Sequence, residues 1–299
     1  MQFNNWFYLQ KYSRGWRGAP AKGVVRETVA RVQISPSAPD TLFPPNKVFF
    51  CFEKAKSKWY YIGMELVKST WTKSDIQQFN KYLKSFSKGE DKAKWEQRII
   101  NTKMPCIAVP SEKVRQIVRT IAKGNYISFI DLWPWDNATT TFVVGGLICK
   151  IKDFDLQKKY LIKYSRCADN WATIDTIKPK ITDKNRQDYV SFACVCAKSK
   201  HIFTRRLGVI LLLKALDEKT IDKTIEVIKS LYDEKEYYVN MSVAWLVAEC
   251  FTKFRDKTSL LFETGTLNKF VNNKAISKCH DSFRVSDSDK ELLKEYKIK

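Results

Sequence analysis

A tryptophan and an aspartate stand four residues apart in the segment Asp169–Asp175. On a helix this spacing places two side chains on the same side, one turn apart, so Trp171 and Asp175 would be neighbours. A carboxylate held in a fixed position can stabilise a developing positive charge and orient a water molecule. The alternative interpretation is structural, with Trp171 in the core and Asp175 on a helix surface.

Two later segments carry residue types that would complete a site with this pair. Arg205 and Arg206 precede a strongly apolar run, and Trp245 lies within a second long apolar stretch. Arg206 is alternatively a solvated charge or a structural partner of Asp175, and Trp245, taken alone, is typical of a core residue. The joint occurrence of the three segments in one basic chain is what favours a functional site.

The composition is that of a folded protein with a large excess of positive charge. Hydrophobic residues make up 44% of the 299 residues, which is too apolar for a disordered chain. Fifty-three Lys and Arg against 32 Asp and Glu leave a net charge of +21. Self-repulsion of this size is best tolerated beside an anionic partner, and nucleic acid is the commonest one. A basic but merely solvated surface is the alternative.

Helical periodicity dominates the chain from Met64 onward, and strict two-residue alternation is nearly absent. Thr72 to Asp75 supplies cap-type residues, and Ser111 is expected to cap a helix that Lys123-Gly124 closes. The pattern predicts helices over 76–86, 111–123, 139–151, 155–164, 171–178, 185–197, 203–216, 221–231, 238–254, 274–283 and 286–296.

We therefore predict an all-helical protein. The helices pair at intervals of roughly 35–45 residues without clear identity between the units, which is typical of degenerate HEAT-like repeats forming a curved solenoid. An irregular helical bundle is the alternative. In a solenoid one helix from each repeat lines the concave face, and basic residues there would form a groove matched to a duplex.

The cysteines and the short apolar runs predict a cytoplasmic protein. The eight cysteines are scattered, and Cys194 and Cys196 are separated by one residue, the wrong spacing for the usual zinc pair. We interpret them as reduced core residues and expect no metal site. No apolar run reaches the ~20 residues of a membrane-spanning helix, and the N-terminus lacks the continuous apolar segment of a secretory signal.

The first 63 residues differ from the rest in composition. Gly, Pro and Ser are concentrated there, and ten Lys and Arg against three acids contribute +7 of the net charge. We predict a basic extension of low order over 1–63. Arg31–Pro36 can also be back-translated into a string that resembles the T-arm of a transfer RNA gene, and Ala38-Pro39 can encode a terminal CCA. A further hypothesis is that the assigned start lies upstream of the true one, which would be Met64.

Four parts of the sequence, in this order, are similar to the bacterial DNA alkylation-repair (AlkD-like) glycosylases: Asp169–Asp175, Arg205–Val209, Tyr237–Trp245, and Asn273–Ile276 with Ser282–Val285. The similarity covers roughly Thr72 to the C-terminus and does not extend to the first 63 residues. It implies a HEAT-like domain over 64–299 that holds duplex DNA in a basic concave groove. It also implies a monofunctional glycosylase acting on N3- and N7-alkylated purines in base excision repair.

The resemblance assigns roles residue by residue. Asp175 matches the catalytic carboxylate, and Trp171 and Trp245 match an aromatic pair flanking the sugar of the lesion nucleotide. Arg206 matches an arginine beside the DNA backbone. The residues expected to contact DNA are Arg205, Arg206, Lys274 and Arg284, and the alternative role of Arg205 is to cover the apolar run beneath it.

The expected chemistry needs neither a cofactor nor a metal. Alkylation at N3 or N7 gives the purine a positive charge and makes it a good leaving group, so the transition state resembles an oxocarbenium ion. Asp175 would supply a fixed anion near C1′ and orient water. The resemblance suggests that the lesion stays in the base stack instead of being flipped out.

The expected partner is double-stranded DNA that carries cationic alkylated purines. We expect a monomer without a membrane partner, associated with the bacterial nucleoid when it is bound to DNA.

One position departs from the family pattern. Ala248 stands where the family has a further arginine, three residues after the second tryptophan. This departure favours the main alternative, a non-catalytic helical-repeat protein that binds bent or branched DNA, whereas the intact set of Trp171, Asp175, Arg206 and Trp245 favours the glycosylase. A second alternative, a helical-repeat protein scaffold, predicts weak DNA association that hardly depends on salt.

Overall fold

Residues 64–299, apart from Pro134, are described by the computed structural model, and every regular element among them is a helix. The helices of the described range are α1 Lys73–Lys84, α2 Glu90–Ile100, α3 Ser111–Ile121, α4 Tyr126–Asp131, α5 Ala138–Ile148, α6 Phe154–Cys167, α7 Trp171–Asp175, α8 Arg186–Ala197, α9 Ile202–Ala215, α10 Ile221–Ser230, α11 Tyr237–Lys253, α12 Arg255–Glu263, α13 Lys269–His280 and α14 Asp287–Glu295. The prediction of an all-helical protein is confirmed for this part of the chain. The predicted extension over 1–63 and the hypothesis of a start at Met64 lie outside the described residues.

Side-chain caps fix the starts of several helices. Thr72 and Asp75 form the predicted capping box of α1, in which each side chain accepts a hydrogen bond from the other residue's backbone amide, at 3.2 Å and 2.8 Å. Ser111, in contrast, is the first residue of α3. Pro110 is the N-cap and makes no side-chain hydrogen bond, so the predicted capping role of Ser111 is wrong. The other side-chain caps among the described helices are Asn125, Asn137, Asp153, Asn170, Asn268 and Ser286.

Three helices of the structure are missing from the sequence prediction, namely α2, α4 and α12. α2 buries only Ile100, and α4 has six residues, so neither displays the apolar spacing that identifies a helix. α13 begins at Lys269, five residues before its predicted start, because Asn268 caps it there.

Helices pack in series through the described range: α3 on α5, α5 on α7, α7 on α9, α9 on α11 and α11 on α13. α9 and α11 are buried on nearly all sides, as expected for helices enclosed by neighbours. Despite this burial, none of the described helices combines the length and apolarity needed to cross a membrane. The central place of α9 means that polar residues on it, such as Arg206, are held in fixed positions.

Gly208 allows α8 and α9 to approach closely. A Cβ atom at this position would lie 2.6 Å from the carbonyl oxygen of Ala193 and 2.7 Å from the amide nitrogen of Ala197, both in the backbone of α8. Helix packing therefore requires a glycine at position 208, two residues after Arg206.

Burial raises the pKa of several cysteine thiols, none of which forms a disulfide. Cys196, Cys250 and Cys279 lie buried in α8, α11 and α13, and burial raises the pKa of each to about 12. The pKa of Cys106 is also raised to about 12, by burial and then by the charges of Glu96 and Asp169.

Candidate functional site

Asp175 and Arg206 form a buried, two-pronged ion pair between α7 and α9. The Nε of Arg206 donates to Oδ1 of Asp175 at 2.9 Å, and its Nη2 donates to Oδ2 at 2.8 Å. Arg206 is 3% exposed, and the Asp175 side chain is 12% exposed. Charges removed from water to this degree must be paired, and the pairing fixes the plane of the carboxylate.

A third helix contacts the same guanidinium. The Nη1 of Arg206 donates to the backbone carbonyl of Tyr238, in the first turn of α11. The hydroxyl of Tyr238 in turn accepts a hydrogen bond from Nδ2 of Asn101 at 2.7 Å. Asn101 ends α2 in a left-handed conformation. The ion pair is therefore connected to α2, α7, α9 and α11.

The start of α7 is fixed by Asn170, whose side chain is fully buried. Its Oδ1 accepts from the amide of Thr173 at 2.9 Å, and its Nδ2 donates to Oδ1 of Asp169 at 2.8 Å. Asp169 also accepts from the hydroxyl of Thr102 and the amide of Lys103. A helix of five residues has little stability of its own, so these bonds determine where α7 lies.

The two tryptophans of the predicted site have different surroundings. Trp171 is partly buried and packs against a small apolar cluster, separate from the main core, that consists of Ile100, Ala138 and Ala172. Trp245 is partly buried against the main core on α11. It follows Tyr238 by seven residues, so the two share one face of α11, two turns apart. Neither indole is fully buried, as a contact with a ligand requires.

Two lysines of α13 place positive charge near the ion pair. Lys274 and Lys278 are four residues apart and share a face of the helix. The pKa of Lys278 is lowered to about 8, mainly by burial and also by the charges of Arg206 and Lys274, against the opposing effects of Asp281 and Asp175. Lys278 therefore lies within electrostatic range of both members of the ion pair.

Arg205 is held by groups of the protein. Its Nε and Nη2 donate to the carboxylate of Glu234 at 2.6 Å and 3.1 Å, and its Nη1 donates to the backbone carbonyls of Ser199 and Lys200. Burial acts to raise the pKa of Glu234, but hydrogen bonds from Arg205 and from backbone amides lower it overall. Arg205 thus ties the first turn of α9 to the loop before α11, and its contact with DNA stays a prediction.

Arg284 is bound to Glu249 of α11. Its Nη1 donates to Oε1 at 3.0 Å and its Nη2 to Oε2 at 2.6 Å, and this pairing raises the pKa of the guanidinium. The side chain of Glu249 is 9% exposed, whereas that of Arg284 is 48% exposed. Glu249 follows Trp245 by four residues, so Arg284 is held one turn beyond Trp245. Ala248 is itself buried in α11.

The structure brings part of the predicted site together and adds residues to it. Asp175 and Arg206 are in direct contact, and Trp171 opens the same short helix as Asp175. The added residues are Asn170, Lys278 and Glu249. Each has a signal in the sequence. Asn170 is a cap-type residue before a short helix. Lys278 and Glu249 are charged residues that follow the predicted site residues Lys274 and Trp245 by four positions.

The fold and site define a class of protein: an all-helical, strongly basic chain in which a carboxylate is preorganised by a guanidinium between packed helices. A family model described as "DNA alkylation repair enzyme" matches residues 75–260, a range that contains the Asp175–Arg206 pair and Trp245. The chain belongs to the DNA alkylation repair enzyme family, and its role is in DNA repair. Comparisons with curated proteins and with solved structures gave no match.

Proposed function

We propose that the protein is a DNA glycosylase that hydrolyses the N-glycosidic bond of N3- and N7-alkylated purines in duplex DNA. The observation that carries this proposal is the buried pair of Asp175 with Arg206, in a chain of the DNA alkylation repair family. A carboxylate fixed in this way needs no reorganisation when positive charge develops beside it, which is the condition for strong electrostatic catalysis.

The proposed chemistry follows from the charge of the substrate. The alkylated purine is a cation, so its bond to C1′ breaks with both electrons going to the base, which leaves as a neutral molecule. The sugar acquires oxocarbenium character, and Asp175 stabilises that charge. Asp175 also orients a water molecule, whose oxygen bonds to C1′ while its proton passes to solvent. The products are the free base and an abasic site.

Trp171 and Trp245 complete the proposed site as aromatic groups beside the sugar. An indole face attracts a cation, and each such contact contributes ~0.5–2 kcal/mol according to how far it is shielded from water. The partial exposure of both indoles supports this role.

Arg206 has two roles in the proposal. It orients the carboxylate of Asp175, as its two hydrogen bonds indicate. The resemblance also implies a contact with the DNA backbone, which stays a prediction. A guanidinium has five N–H donors, and Asp175 and Tyr238 account for three of those on Arg206.

We further propose that the duplex lies along the concave face of a HEAT-like solenoid. The serial packing of α3, α5, α7, α9, α11 and α13 supports this arrangement, because one helix from each repeat lines such a face. Lys274 and Lys278 of α13, and Arg284 in the loop that follows it, would then contact phosphates.

The test is release of 7-methylguanine and 3-methyladenine from methylated duplex DNA by the purified protein. We expect both bases to be released in excess of spontaneous loss, and Asp175→Asn to remove that excess. Salt-dependent binding to duplex without release of either base would contradict the proposal and favour the non-catalytic DNA-binding protein instead.

A further inference from the structure

Phe283 is fully exposed in the loop between α13 and α14. Its relative exposure is 101%, whereas the next most exposed large hydrophobic residue of the described range, Val195, reaches 68%. Single apolar residues on a surface are ordinary and need no explanation. Phe283 differs from them because the residues beside it are held by hydrogen bonds and burial, and because its loop contacts α11 near the proposed site.

The residues on either side hold Phe283 in place. Arg284 is bound through both Nη atoms to Glu249, and Val285 is buried. The hydroxyl of Ser282 accepts from the amide of Arg284 at 3.2 Å, and the amide of Ser282 donates to a carbonyl of α13. An aromatic side chain presented by such a loop loses little conformational freedom on binding a partner.

The loop lies next to the proposed site. Glu249 follows Trp245 by four residues on α11, which corresponds to about 5 Å along the helix axis. Because Arg284 is held at Glu249, the loop that carries Phe283 is tied to α11 one helical turn beyond Trp245.

The charges around Phe283 indicate the kind of partner. The guanidinium of Arg284 is half exposed, and Nζ of Lys253 lies 3.7 Å from Oε1 of Glu249 with its side chain 40% exposed. Two cations thus surround one carboxylate. An exposed aromatic residue on a basic surface suits nucleic acid, in which bases stack on the ring and phosphates pair with the cations. A second copy of this chain would bring like charges together, since each copy carries a net +21.

We propose that Phe283 stacks on a base of the bound duplex, one turn of α11 away from the sugar of the lesion nucleotide. Apolar wedges of this kind partly unstack a base step and bend the duplex. The inference rests on the proposed function in that the partner is duplex DNA, and it names a contact that the glycosylase chemistry does not require.

The test compares Phe283→Ala and Phe283→Trp with the wild type on a duplex that contains a stable abasic-site analogue. Affinity is measured by fluorescence anisotropy over a range of salt concentrations, and the emission of 2-aminopurine placed beside the analogue reports stacking. Leu260→Ala is the matched control, because Leu260 is an exposed apolar residue of α12, at 57%.

We expect Phe283→Ala to weaken binding by about 5- to 150-fold, the loss that corresponds to one base–aromatic stack. The dependence of log affinity on log salt should not change, since no phosphate contact is lost. Phe283→Trp should restore the affinity and the change in 2-aminopurine emission, and Leu260→Ala should bind as the wild type does. Melting temperatures should be equal, because Phe283 makes no buried contact.

Wild-type affinity in Phe283→Ala would overturn the inference, as would an equal loss in Leu260→Ala or a changed salt dependence. A dimer in sedimentation that disappears in Phe283→Ala would assign the residue to a contact between copies and also overturn it. Release of methylated purines by the same samples separates the two proposals. Loss of affinity in Phe283→Ala with no release by the wild type contradicts only the glycosylase, and the reverse result contradicts only the stacking contact.

Discussion

At the residue scale, the carboxylate of Asp175 belongs both to the proposed site and to the packing of three helices. Removing it leaves the guanidinium of Arg206 buried and unpaired, and such losses are strongly destabilising. A defect in activity at either residue is therefore informative only beside a measurement of stability.

Asp175→Asn is expected to lower excision by about 10²–10³, because the neutral amide no longer offsets the charge developing on the sugar. The amide oxygen still accepts one of the two hydrogen bonds from Arg206, so we expect the protein to fold and to bind duplex, with a lowered melting temperature. Single-turnover release of methylated purine at saturating enzyme measures the effect, with the melting temperature taken on the same sample.

Asp217→Asn is the matched control for this substitution. Asp217 pairs with Arg186 at 2.7 Å, a second Arg–Asp contact outside the site, and its loss should leave excision unchanged. Excision at the wild-type rate by Asp175→Asn would show that the catalytic assignment is wrong.

Arg206→Ala is expected to slow excision at saturating enzyme, where weaker binding no longer limits the rate, because Asp175 loses its orientation. The salt dependence of duplex binding tests the implied backbone contact separately. Loss of about one unit from the slope of log affinity against log salt would support that contact. An unchanged slope would mean that Arg206 only positions the carboxylate of Asp175. Undiminished excision in a folded Arg206→Ala protein would contradict the positioning role.

Lys278 should make stability depend on pH. Burial lowers its pKa from 10.5 to about 8, so between these values the unfolded chain binds more protons than the folded one. The free energy of unfolding contributed by this residue therefore rises with pH over that window. Buried thiols with a pKa of about 12 act in the opposite direction, so the comparison must be between variants.

Lys278→Met is accordingly expected to be more stable than the wild type at pH 7, with an advantage that shrinks toward pH 10. Urea unfolding at pH 7, 8.5 and 10 measures the difference. A difference that stays constant across this range would show that Lys278 does not titrate as the structure indicates.

At the scale of elements, the sequence predicts helices well where caps and apolar faces coincide. Thr72 and Asp75 predict the start of α1 because the capping box is a local interaction within four residues. The sequence does not predict α2 and α4, because α2 fully buries only one residue and α4 has only six residues. Their existence depends on contacts with distant parts of the chain, such as the hydrogen bond between Asn101 and Tyr238.

The same distinction holds for the site. Spacing alone places Trp171 and Asp175 on one helix, which the structure confirms for α7. The partner of Asp175 lies 31 residues away on α9, and the sequence offered this pairing only as one of two alternatives for Arg206. Contacts between helices depend on how the helices pack, and periodicity within one helix carries no information about that packing.

Asn170→Ala is the prediction that belongs to this scale. Loss of an N-cap costs ~1–2 kcal/mol, and here it also releases the short helix that carries Trp171 and Asp175. We expect the free energy of unfolding to fall by that amount and excision to fall further than the stability loss explains. Excision is measured well below the melting temperature of the variant.

Asn268→Ala is the control, because Asn268 caps α13 through the same kind of hydrogen bond, accepting from the amide of Val271 at 2.9 Å. It should lose similar stability and keep its excision rate. Equal excision by the two variants would mean that the position of α7 does not limit the reaction.

At the scale of the whole molecule, the positive charge is spread along the chain. Residues 1–63 contribute +7 of the net +21, so 64–299 retain +14. The family match begins at residue 75, inside this second part. The charge needed to hold a duplex therefore does not depend on the first part of the sequence.

A protein limited to 64–299 is expected to fold and to release methylated purines at the rate of the full chain near physiological ionic strength. At low salt its affinity for undamaged duplex should be lower, because fewer cations displace counterions from the DNA. Circular dichroism tests whether the shortened protein folds, and single-turnover release of methylated purines tests its rate. An insoluble or unfolded product would show that the first 63 residues contribute to the folded protein.

The burial of the thiols affects how readily the protein itself reacts with alkylating agents. Reagents that methylate purines also methylate cysteine, and the thiolate is the form that reacts. An ordinary thiol is a few per cent thiolate at pH 7, whereas one with a pKa near 12 is ionised to only ~1 part in 10⁵. Cys196, Cys250 and Cys279 are in this second state and are enclosed by helices as well. We therefore expect these three thiols to react with an alkylating agent far more slowly than an exposed thiol does.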